Sequence, residues 1–310
     1  MRPQSPENIL QYRGRFAPSP SGLLHYGSLI AALASFLDAK SYKDANNNQG
    51  KWLVRIEDID PPREQAGASK AILKTLDAFG LHWDETELYQ SDQHQYYRDI
   101  LAELKHHNRS YYCHCTRADI KAIGGLYQGH CRQQNNPNNN HATRLINTRG
   151  VSNFTDIFQG DITCDKGMAS EDFIIHRKDG LFAYQLAVVA DDVVQNITHV
   201  IRGCDLLEPT CRQLTLFNTL KSIGLSCTPP QYGHVPLAVA ANGYKLSKQN
   251  KAPAIDNNNP RPALIAALQF LGLQPPIELT HASVCNIITW GTQHWQRNQV
   301  PQARKITLNG

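Results

Sequence analysis

One stretch near the start of the chain combines residues that bind anions with a turn that exposes backbone N–H groups. It runs from Arg15 to Ser28 and reads RFAPSPSGLLHYGS. Apolar residues at helical spacing begin after Gly27. A strand, a tight turn and a helix N-terminus present unpaired N–H groups and a positive dipole end to a phosphate. His25 lies directly before that helix, where its ring can donate to the same phosphate.

A carboxylate and two lysines follow at positions that suit the same chemistry. Residues 51–58 are apolar at 52–54 and 56 and end in acids, which predicts a strand with Glu57 at its carboxyl end, where α/β sheets collect ligands. Lys245 and Lys248 lie about 220 residues after His25 in the segment KLSKQ. Lysine side chains bind phosphates as point charges. The alternatives are a surface or capping acid for Glu57 and two solvated lysines.

Three cysteines form a candidate metal site. Cys113, Cys115 and Cys131 fall within nineteen residues that also contain glycine turns. Zinc favours thiolates in tetrahedral structural sites, and ligand chemistry alone makes His114 or His130 the fourth ligand. The alternative is three unpaired thiols in a loop. The other five cysteines are scattered, a pattern that suits a reduced compartment better than a disulfide framework.

The elements that must position these groups alternate along the chain. Strands are predicted over 12–17, 51–58 and 199–205, the last with Arg202 near its end, and Asp179-Gly180 predicts a turn. Helices are predicted from 27 and over 63–79, 92–107, 208–220, 262–271 and 282–295. This alternation predicts an α/β, Rossmann-like catalytic domain.

Four regions follow from the changes in pattern along the sequence. Residues 1–108 are predicted to form the first half of the catalytic domain, and 109–190 an insertion with the metal-binding segment. Residues 191–252 supply the second half with the lysine segment, and 253–310 a short helical region. About 60 residues follow the lysine segment, which is too few for a further domain of roughly 100–150 residues.

Composition bounds the class of protein. The chain has 310 residues and a formal net charge of +4, which is compatible with an RNA partner but does not argue for one. Its apolar runs are too short to cross a bilayer, and its first residues lack an apolar signal region. We therefore expect a cytoplasmic protein without a membrane partner, and a monomer.

Both phosphate motifs resemble the signatures of class I aminoacyl-tRNA synthetases. His25-Tyr26-Gly27-Ser28 is similar to the HIGH motif in the form used by glutamyl-tRNA synthetases, with Ser28 in place of the second His. The KLSKQ segment is similar to the KMSKS loop, with Gln249 in place of the last Ser. The resemblance covers residues from about 13 to 255, and it is closest to the family of glutamyl-queuosine tRNA(Asp) synthetases, which lack the anticodon-binding portion.

The resemblance also implies a ligand set for the metal. The family's Cys-x-Cys, Tyr, Cys spacing matches Cys113, Cys115, Tyr127 and Cys131, so it implies Tyr127 as fourth ligand where ligand chemistry favours a histidine. The implied metal is one structural Zn²⁺. The insertion that carries it is expected to resemble the segment that receives the tRNA acceptor end in related synthetases.

The implied activity is ATP-dependent activation of L-glutamate, with Mg²⁺ on the ATP, and transfer of glutamate to queuosine in the anticodon of tRNA(Asp). The implied catalytic residues are His25, Lys245 and Lys248. The residues implied to bind ATP are His25, Gly27, Ser28 and Lys248. The residues implied to bind glutamate are Arg15, Phe16, Ala17, Pro18, Ser19, Glu57, Tyr184 and Arg202.

Three other functions share part of these motifs. A truncated glutamyl-tRNA synthetase would act at a tRNA 3′ end with the same pocket. A small-molecule ligase of the superfamily would not need Tyr184, Arg202 or the metal segment. A non-catalytic RNA-binding paralogue is expected to lose His25 or Lys248, and both are present.

Overall fold

The computed structural model describes residues 11–134, 137, 141–240 and 254–308. Their strands are β1 (Arg13–Phe16), β2 (Lys51–Ile56), β3 (Leu88–Tyr89), β4 (Ser110–Cys113), β5 (Ala142–Leu145), β6 (Asn153–Asp156), β7 (Gly160–Thr163), β8 (Ile174–His176), β9 (His199–Gly203), β10 (Gln231–Val235), β11 (Leu237–Val239) and β12 (Lys305–Thr307). Their helices are α1 (Tyr26–Ser41), α2 (Ala68–Ala78), α3 (His94–His106), α4 (Arg117–Ala122), α5 (Lys166–Ser170), α6 (Tyr184–Val194), α7 (Pro209–Ser222), α8 (Pro260–Phe270) and α9 (Val284–His294).

A parallel sheet of five strands organises the molecule. Its order is β10-β9-β1-β2-β3, and every neighbouring pair is parallel. Parallel neighbours need crossover connections, and here helices supply them. β1 is the middle strand, so the carboxyl ends of β9, β1 and β2 meet at one edge. The α/β prediction is confirmed, and this edge brings the segments after Phe16, Ile56 and Gly203 together.

Two apolar cores hold this arrangement. The first packs α1, α8 and α9 against the sheet around fully buried residues such as Leu33, Trp52 and Ile287. The second lies among α3, α6 and α7 around residues such as Leu186 and Phe217. Side chains of this size each stabilise the fold by about 1.5–3 kcal/mol when buried. The edge of the sheet that carries the polar residues is therefore fixed from both sides.

The middle of the chain departs from the α/β pattern. β4, β5 and β8 form an antiparallel sheet, and β6 and β7 form a hairpin. The predicted turn at Asp179-Gly180 is confirmed, with Gly180 in the left-handed region that favours glycine. The regional boundaries themselves stay predictions, and α6 runs across the one placed at residue 190.

Two predictions need correction. The helix predicted over 63–79 begins only at Ala68, because Gly67 takes a left-handed backbone conformation at the N-cap and a separate 3₁₀ turn occupies Pro61–Arg63. The scattered cysteines were expected to stay unpaired, but Cys164 and Cys211 form a disulfide between the segment after β7 and α7. A sequence separation of 47 residues gives no local signal for that pairing.

No helix within the described ranges is long and apolar enough to cross a membrane.

Candidate active site

A cavity of about 430 Å³ lies at the carboxyl edge of the central sheet. We call it the main cavity. All the site residues predicted in the described part of the chain line it, apart from the metal ligands: Arg15, Phe16, Ala17, Pro18, Ser19, His25, Gly27, Ser28, Glu57, Tyr184 and Arg202. The sheet order explains the gathering, because β1, β2 and β9 end there together. Lys245 and Lys248 lie outside the described residues.

The turn between β1 and α1 forms the floor of the main cavity. His25 is the N-cap of α1, its Nδ1 accepting from the Ser28 backbone N–H at 3.2 Å while Nε2 lies 3.1 Å from Ser28 Oγ. No acidic residue occupies the first turn of α1, so the positive end of the helix is left without a protein anion there. This end of the cavity suits the phosphates of a nucleotide.

The ends of the lysine segment also adjoin this floor. Ala238, two residues before the described chain stops at 240, lines the main cavity. Where the described chain resumes, Ala254 forms a β-bridge with His25, and the Ile255 N–H donates to the Leu24 carbonyl at 3.1 Å. Both flanks of the segment that contains Lys245 and Lys248 are therefore anchored beside the HIGH-like turn.

One wall of the main cavity carries charges that compensate one another. Arg15 donates to Asp192 from Nε at 3.3 Å, and Arg55 donates to the same carboxylate from Nη2 at 2.6 Å. All three side chains are at least 96% buried. Burial alone would raise the pKa of Asp192, but the two guanidinium groups hold it below its ordinary value. We call this set the paired wall.

Glu57 lies between the paired wall and the cavity without a cationic partner of its own. Among the described residues, no lysine or arginine forms an ion pair with its carboxylate. Burial raises the pKa of Glu57 to about 7, against the opposing influence of Arg15 and Arg55. Its carboxylate is therefore available to a cationic group of a ligand, and its charge depends on pH near neutrality.

Arg202 forms the opposite wall and has no carboxylate partner among the described residues. Its Nε donates to His234 Nε2 at 3.1 Å, and its Nη2 donates to Thr210 Oγ1 at 2.7 Å and Gln213 Oε1 at 2.8 Å. Its Nη1 is buried without a hydrogen-bond partner. We call Arg202 with these neutral acceptors the open wall, because a full positive charge faces the cavity there.

A histidine and an aspartate fix Arg202 from behind. Arginine can only donate, so His234 Nε2 must accept and Nδ1 carries the proton. That N–H lies 2.5 Å from Asp156 Oδ2, and Oδ1 of the same aspartate accepts the His234 backbone N–H at 3.0 Å. Burial lowers the pKa of His234, which keeps the ring neutral. The chain Asp156–His234–Arg202 therefore orients the guanidinium without directly neutralising it.

Tyr184 and Tyr232 complete this side of the site. Tyr184 begins α6, and burial raises its pKa while Arg202 opposes the shift, so the phenol keeps its proton. Tyr232 lies on β10 with its ring 5.1 Å from the Arg202 guanidinium, and its hydroxyl is buried without a partner. An unpaired buried polar group of this kind costs about 1–3 kcal/mol of stability.

The three predicted thiol ligands converge in the insertion. The Sγ atoms of Cys113, Cys115 and Cys131 all lie within 4.8 Å of one another, so the cluster could hold a metal ion. The buried Tyr127 hydroxyl accepts the Cys131 backbone N–H at 2.9 Å, while His114 Nδ1 lies 3.5 Å from Cys131 Sγ. Three thiolates with one further N or O donor fit a tetrahedral zinc site.

Sequence reasoning missed the residues that set the two walls. Asp192 and Arg55 sit inside apolar runs, and a charge within such a run was the available signal of a buried ion pair. His234 and Asp156 likewise lie on strands among apolar neighbours. Nothing local connects either residue with Arg202, because 78 residues separate His234 from Asp156.

A family model and curated relatives match nearly the whole chain. The family described as tRNA synthetases class I (E and Q), catalytic domain, matches residues 11–305. A protein of Colwellia psychrerythraea named glutamyl-Q tRNA(Asp) synthetase is 67% identical over 308 residues, covering 99% of this chain and 98% of its own. A protein of the same name from Vibrio cholerae is 51% identical over 313 residues, with 99% and 97% covered.

A solved structure agrees in fold. It is a glutamate tRNA ligase from Elizabethkingia meningosepticum in complex with its amino acid, with a TM-score of 0.75 and 24% identity. The similarity covers 95% of this chain and 66% of that structure, so the chain spans a little less than two thirds of its length.

Proposed function

Because the chain belongs to the class I tRNA synthetases for glutamate and glutamine, and within them to the glutamyl-Q tRNA(Asp) synthetases, we propose that it glutamylates a modified nucleoside. It activates L-glutamate with ATP and transfers the glutamyl group to queuosine in the anticodon of tRNA(Asp). The observation that carries the proposal is the open wall: a buried guanidinium without a carboxylate partner among the described residues, beside an unpartnered carboxylate.

Glutamate matches these charges group by group. Its two carboxylates suit the guanidinium groups of Arg15 and Arg202, and its ammonium suits Glu57. Tyr184 adds a hydroxyl to the same pocket. The Nη1 of Arg202 has no hydrogen-bond partner in the protein, whereas Nε and Nη2 of Arg15 already donate to Asp192. Arg202 therefore makes the stronger contact with a carboxylate of the substrate.

Activation needs no nucleophile from the protein. An oxygen of the α-carboxylate attacks the α-phosphorus of ATP, the bond to the β-phosphate oxygen breaks, and pyrophosphate leaves. The protein contributes orientation and stabilisation of the developing negative charge. We assign that role to His25, Gly27 and Ser28 at the helix N-terminus and to Lys245 and Lys248. Mg²⁺ accompanies the ATP phosphates.

Transfer then consumes the adenylate. A hydroxyl oxygen of the cyclopentenediol of queuosine attacks the glutamyl carbonyl carbon, an ester bond forms, and AMP leaves with the bonding electron pair. The hydroxyl proton passes to the departing phosphate or to solvent. Anticodon bases held outside a duplex can enter such a site, because single-stranded RNA is bound through unstacked bases and phosphates.

The cysteine cluster is proposed to hold one structural Zn²⁺. Cys113, Cys115 and Cys131 would supply thiolates, and Tyr127 the fourth ligand. The ion would stabilise the insertion and take no part in the chemistry. Metal analysis of protein purified without chelator should give about one zinc per chain. Full zinc content in Tyr127→Phe would assign the fourth position to His114, His130 or water.

Two assays test the activity. The first is glutamate-dependent pyrophosphate exchange without tRNA, in which Lys248→Ala should lower the rate far more than it weakens glutamate binding, because its charge acts as pyrophosphate forms. The second is transfer of labelled glutamate to tRNA(Asp) with and without queuosine, beside tRNA(Glu).

The outcomes separate the candidate functions. Labelling only of queuosine-containing tRNA(Asp) supports the proposal. Stable charging of tRNA(Glu), or labelling of tRNA(Asp) that lacks queuosine, would instead identify a truncated glutamyl-tRNA synthetase. Absence of exchange with every amino acid would favour a non-catalytic RNA-binding protein.

We also propose that the protein acts as a monomer in the cytoplasm, where its substrates are made. Sedimentation analysis tests the oligomeric state, and fractionation of cells tests the location. A dimer, or recovery of the protein outside the cytoplasm, would contradict this proposal.

A further inference from the structure

A second cavity of about 390 Å³ opens beside the main cavity. We call it the side cavity. The two share four lining residues, Ser19, Ser21, Glu57 and Tyr184, so a ligand in the side cavity lies next to a ligand in the main cavity. If glutamate is activated in the main cavity as proposed above, the nucleoside that receives it must approach from a neighbouring space. The side cavity is such a space.

The unpaired polar atoms in the side cavity are hydrogen-bond acceptors. Gln90 is fully buried, and its Nε2 donates to Asp191 Oδ2 at 2.7 Å. A carboxylate only accepts, so this contact fixes the amide orientation and leaves Oε1 as the free end. Gln90 Oε1 and Glu64 Oε1 are both buried without a hydrogen-bond partner. A ligand rich in N–H and O–H donors would satisfy them.

The acidic groups around Glu64 are already engaged, but Glu64 itself is not neutralised. Asp58 accepts two hydrogen bonds from Ser91, at 2.9 and 2.7 Å. Asp60 pairs with Arg63 at 2.5 Å. In the described part of the chain no lysine or arginine forms an ion pair with Glu64. No cation of the described chain therefore balances its charge, and burial together with the nearby Asp58 and Asp60 raises its pKa, so a cationic ligand would favour the ionised carboxylate.

The cationic groups of the side cavity lie nearer to solvent than these acceptors. The Arg63 side chain is 72% exposed, the Arg177 side chain 41% exposed, and Arg117 is also exposed. Gln90 is fully buried and Glu64 is partly buried. The cavity thus has acceptors and negative charge inside and guanidinium groups at its mouth.

Queuosine has the complementary arrangement. Its cyclopentenediol is attached through a secondary amine, which, like the lysine amine, carries a proton near neutral pH. The modified arm therefore brings one cation and two hydroxyls, and the flanking nucleotides bring phosphates. The terminal adenosine of a tRNA has ribose hydroxyls but no such cation.

We propose that the side cavity binds the hydroxylated, cationic arm of the acceptor nucleoside, with Glu64 and Gln90 Oε1 receiving its donors. The arginines at the mouth contact the phosphates of the flanking nucleotides. Glu64 selects a nucleoside that carries an ammonium group. The assignment rests on the proposed function and adds the specificity determinant of its second step.

The test compares two steps of one enzyme. Glu64→Gln keeps the shape and an acceptor but removes the charge, so kcat/KM for transfer of labelled glutamate to queuosine-containing tRNA(Asp) should fall about 10- to 100-fold, as for loss of a charged hydrogen bond. Pyrophosphate exchange without tRNA should fall far less. Glu278→Gln, at an exposed glutamate outside both cavities, is the matched control and should retain both rates.

Each result decides the assignment. A selective loss of transfer in Glu64→Gln supports it. Unchanged transfer, or equal losses of transfer and exchange, overturns it, because Glu64 would then act elsewhere or through the fold. The unsubstituted protein is measured first. If it exchanges pyrophosphate but labels no queuosine-containing tRNA, the transfer step of the proposed function fails, and this assignment fails with it.

Discussion

The paired wall and the open wall of the main cavity present the same residue type in opposite electrostatic states. Arg15 on β1 and Arg202 on the neighbouring β9 are both 4% exposed. Arg15 meets Asp192, whereas Arg202 meets a histidine, a hydroxyl and an amide oxygen. Arg15 is thus compensated inside the protein, and Arg202 retains its charge for a ligand. A buried arginine is informative about ligand binding only when its partners are known.

The largest effect should come from breaking the paired wall. Asp192→Asn leaves two buried guanidinium groups without their shared carboxylate, and loss of one partner of a buried pair costs roughly 3–5 kcal/mol of unfolding free energy. Urea denaturation measures it, with Asp92→Asn at an exposed aspartate as control. A loss below about 1 kcal/mol, which is the scale of an exposed pair, would contradict the description of this wall.

The same pair predicts an acid dependence of stability. The pKa of Asp192 is lower in the folded protein than its ordinary value, so its stabilising contribution is complete above that ordinary value. The contribution is lost as pH falls through the folded pKa. Asp192→Asn should remove this part of the acid dependence.

Breaking the open wall should affect binding more than stability. Arg202→Leu removes a buried charge that pairs with substrate, and loss of such a partner costs roughly 2–5 kcal/mol, or about 30- to 4,000-fold in the KM for glutamate. Pyrophosphate exchange at varied glutamate measures it. Arg261→Leu, at an exposed arginine on α8, is the control. An unchanged KM would place the substrate carboxylates elsewhere.

A matched pair at His234 sharpens the comparison further. His234→Gln can keep an acceptor towards Arg202, whereas His234→Asn can keep only the donor towards Asp156. We expect His234→Asn to raise the KM for glutamate roughly 5- to 30-fold, with little change in kcat. This change corresponds to a loss of about one to two kcal/mol of binding free energy. His234→Gln should be closer to the unsubstituted protein. Equal changes in KM for the two substitutions would show that His234 contributes only through packing.

The smallest expected effect is a pH dependence of glutamate binding through Glu57. Burial raises the pKa of Glu57 to about 7, and only the ionised carboxylate attracts the ammonium of glutamate. The KM for glutamate should therefore rise as pH falls, by about tenfold from pH 8 to pH 6, which corresponds to ~1.4 kcal/mol. Glu57→Gln should bind more weakly and lose this dependence. A flat profile in the unsubstituted protein would assign the ammonium to another group.

Local spacing in the sequence was sufficient for the groups that belong to one turn or one strand end. The turn from Arg15 to Ser28, the thiol cluster and the position of Arg202 near a strand end were all predictable. In each case the backbone period or a short loop fixes the relative positions of the residues. The start of α2 was not predictable in the same way, since it depends on the left-handed conformation of Gly67 rather than on apolar spacing.

Only the tertiary structure decided what surrounds each charge. Asp192 lies 177 residues from Arg15 in the sequence. The order of strands in the sheet and the packing of α6 bring the two side chains into contact. The same holds for His234 behind Arg202 and for Gln90 and Glu64 around the side cavity. The sequence by itself determined which residues could carry charge and which chemistry they could perform. Whether a charge is neutralised by the protein or kept for a ligand depends on contacts between strands and helices that are distant in sequence.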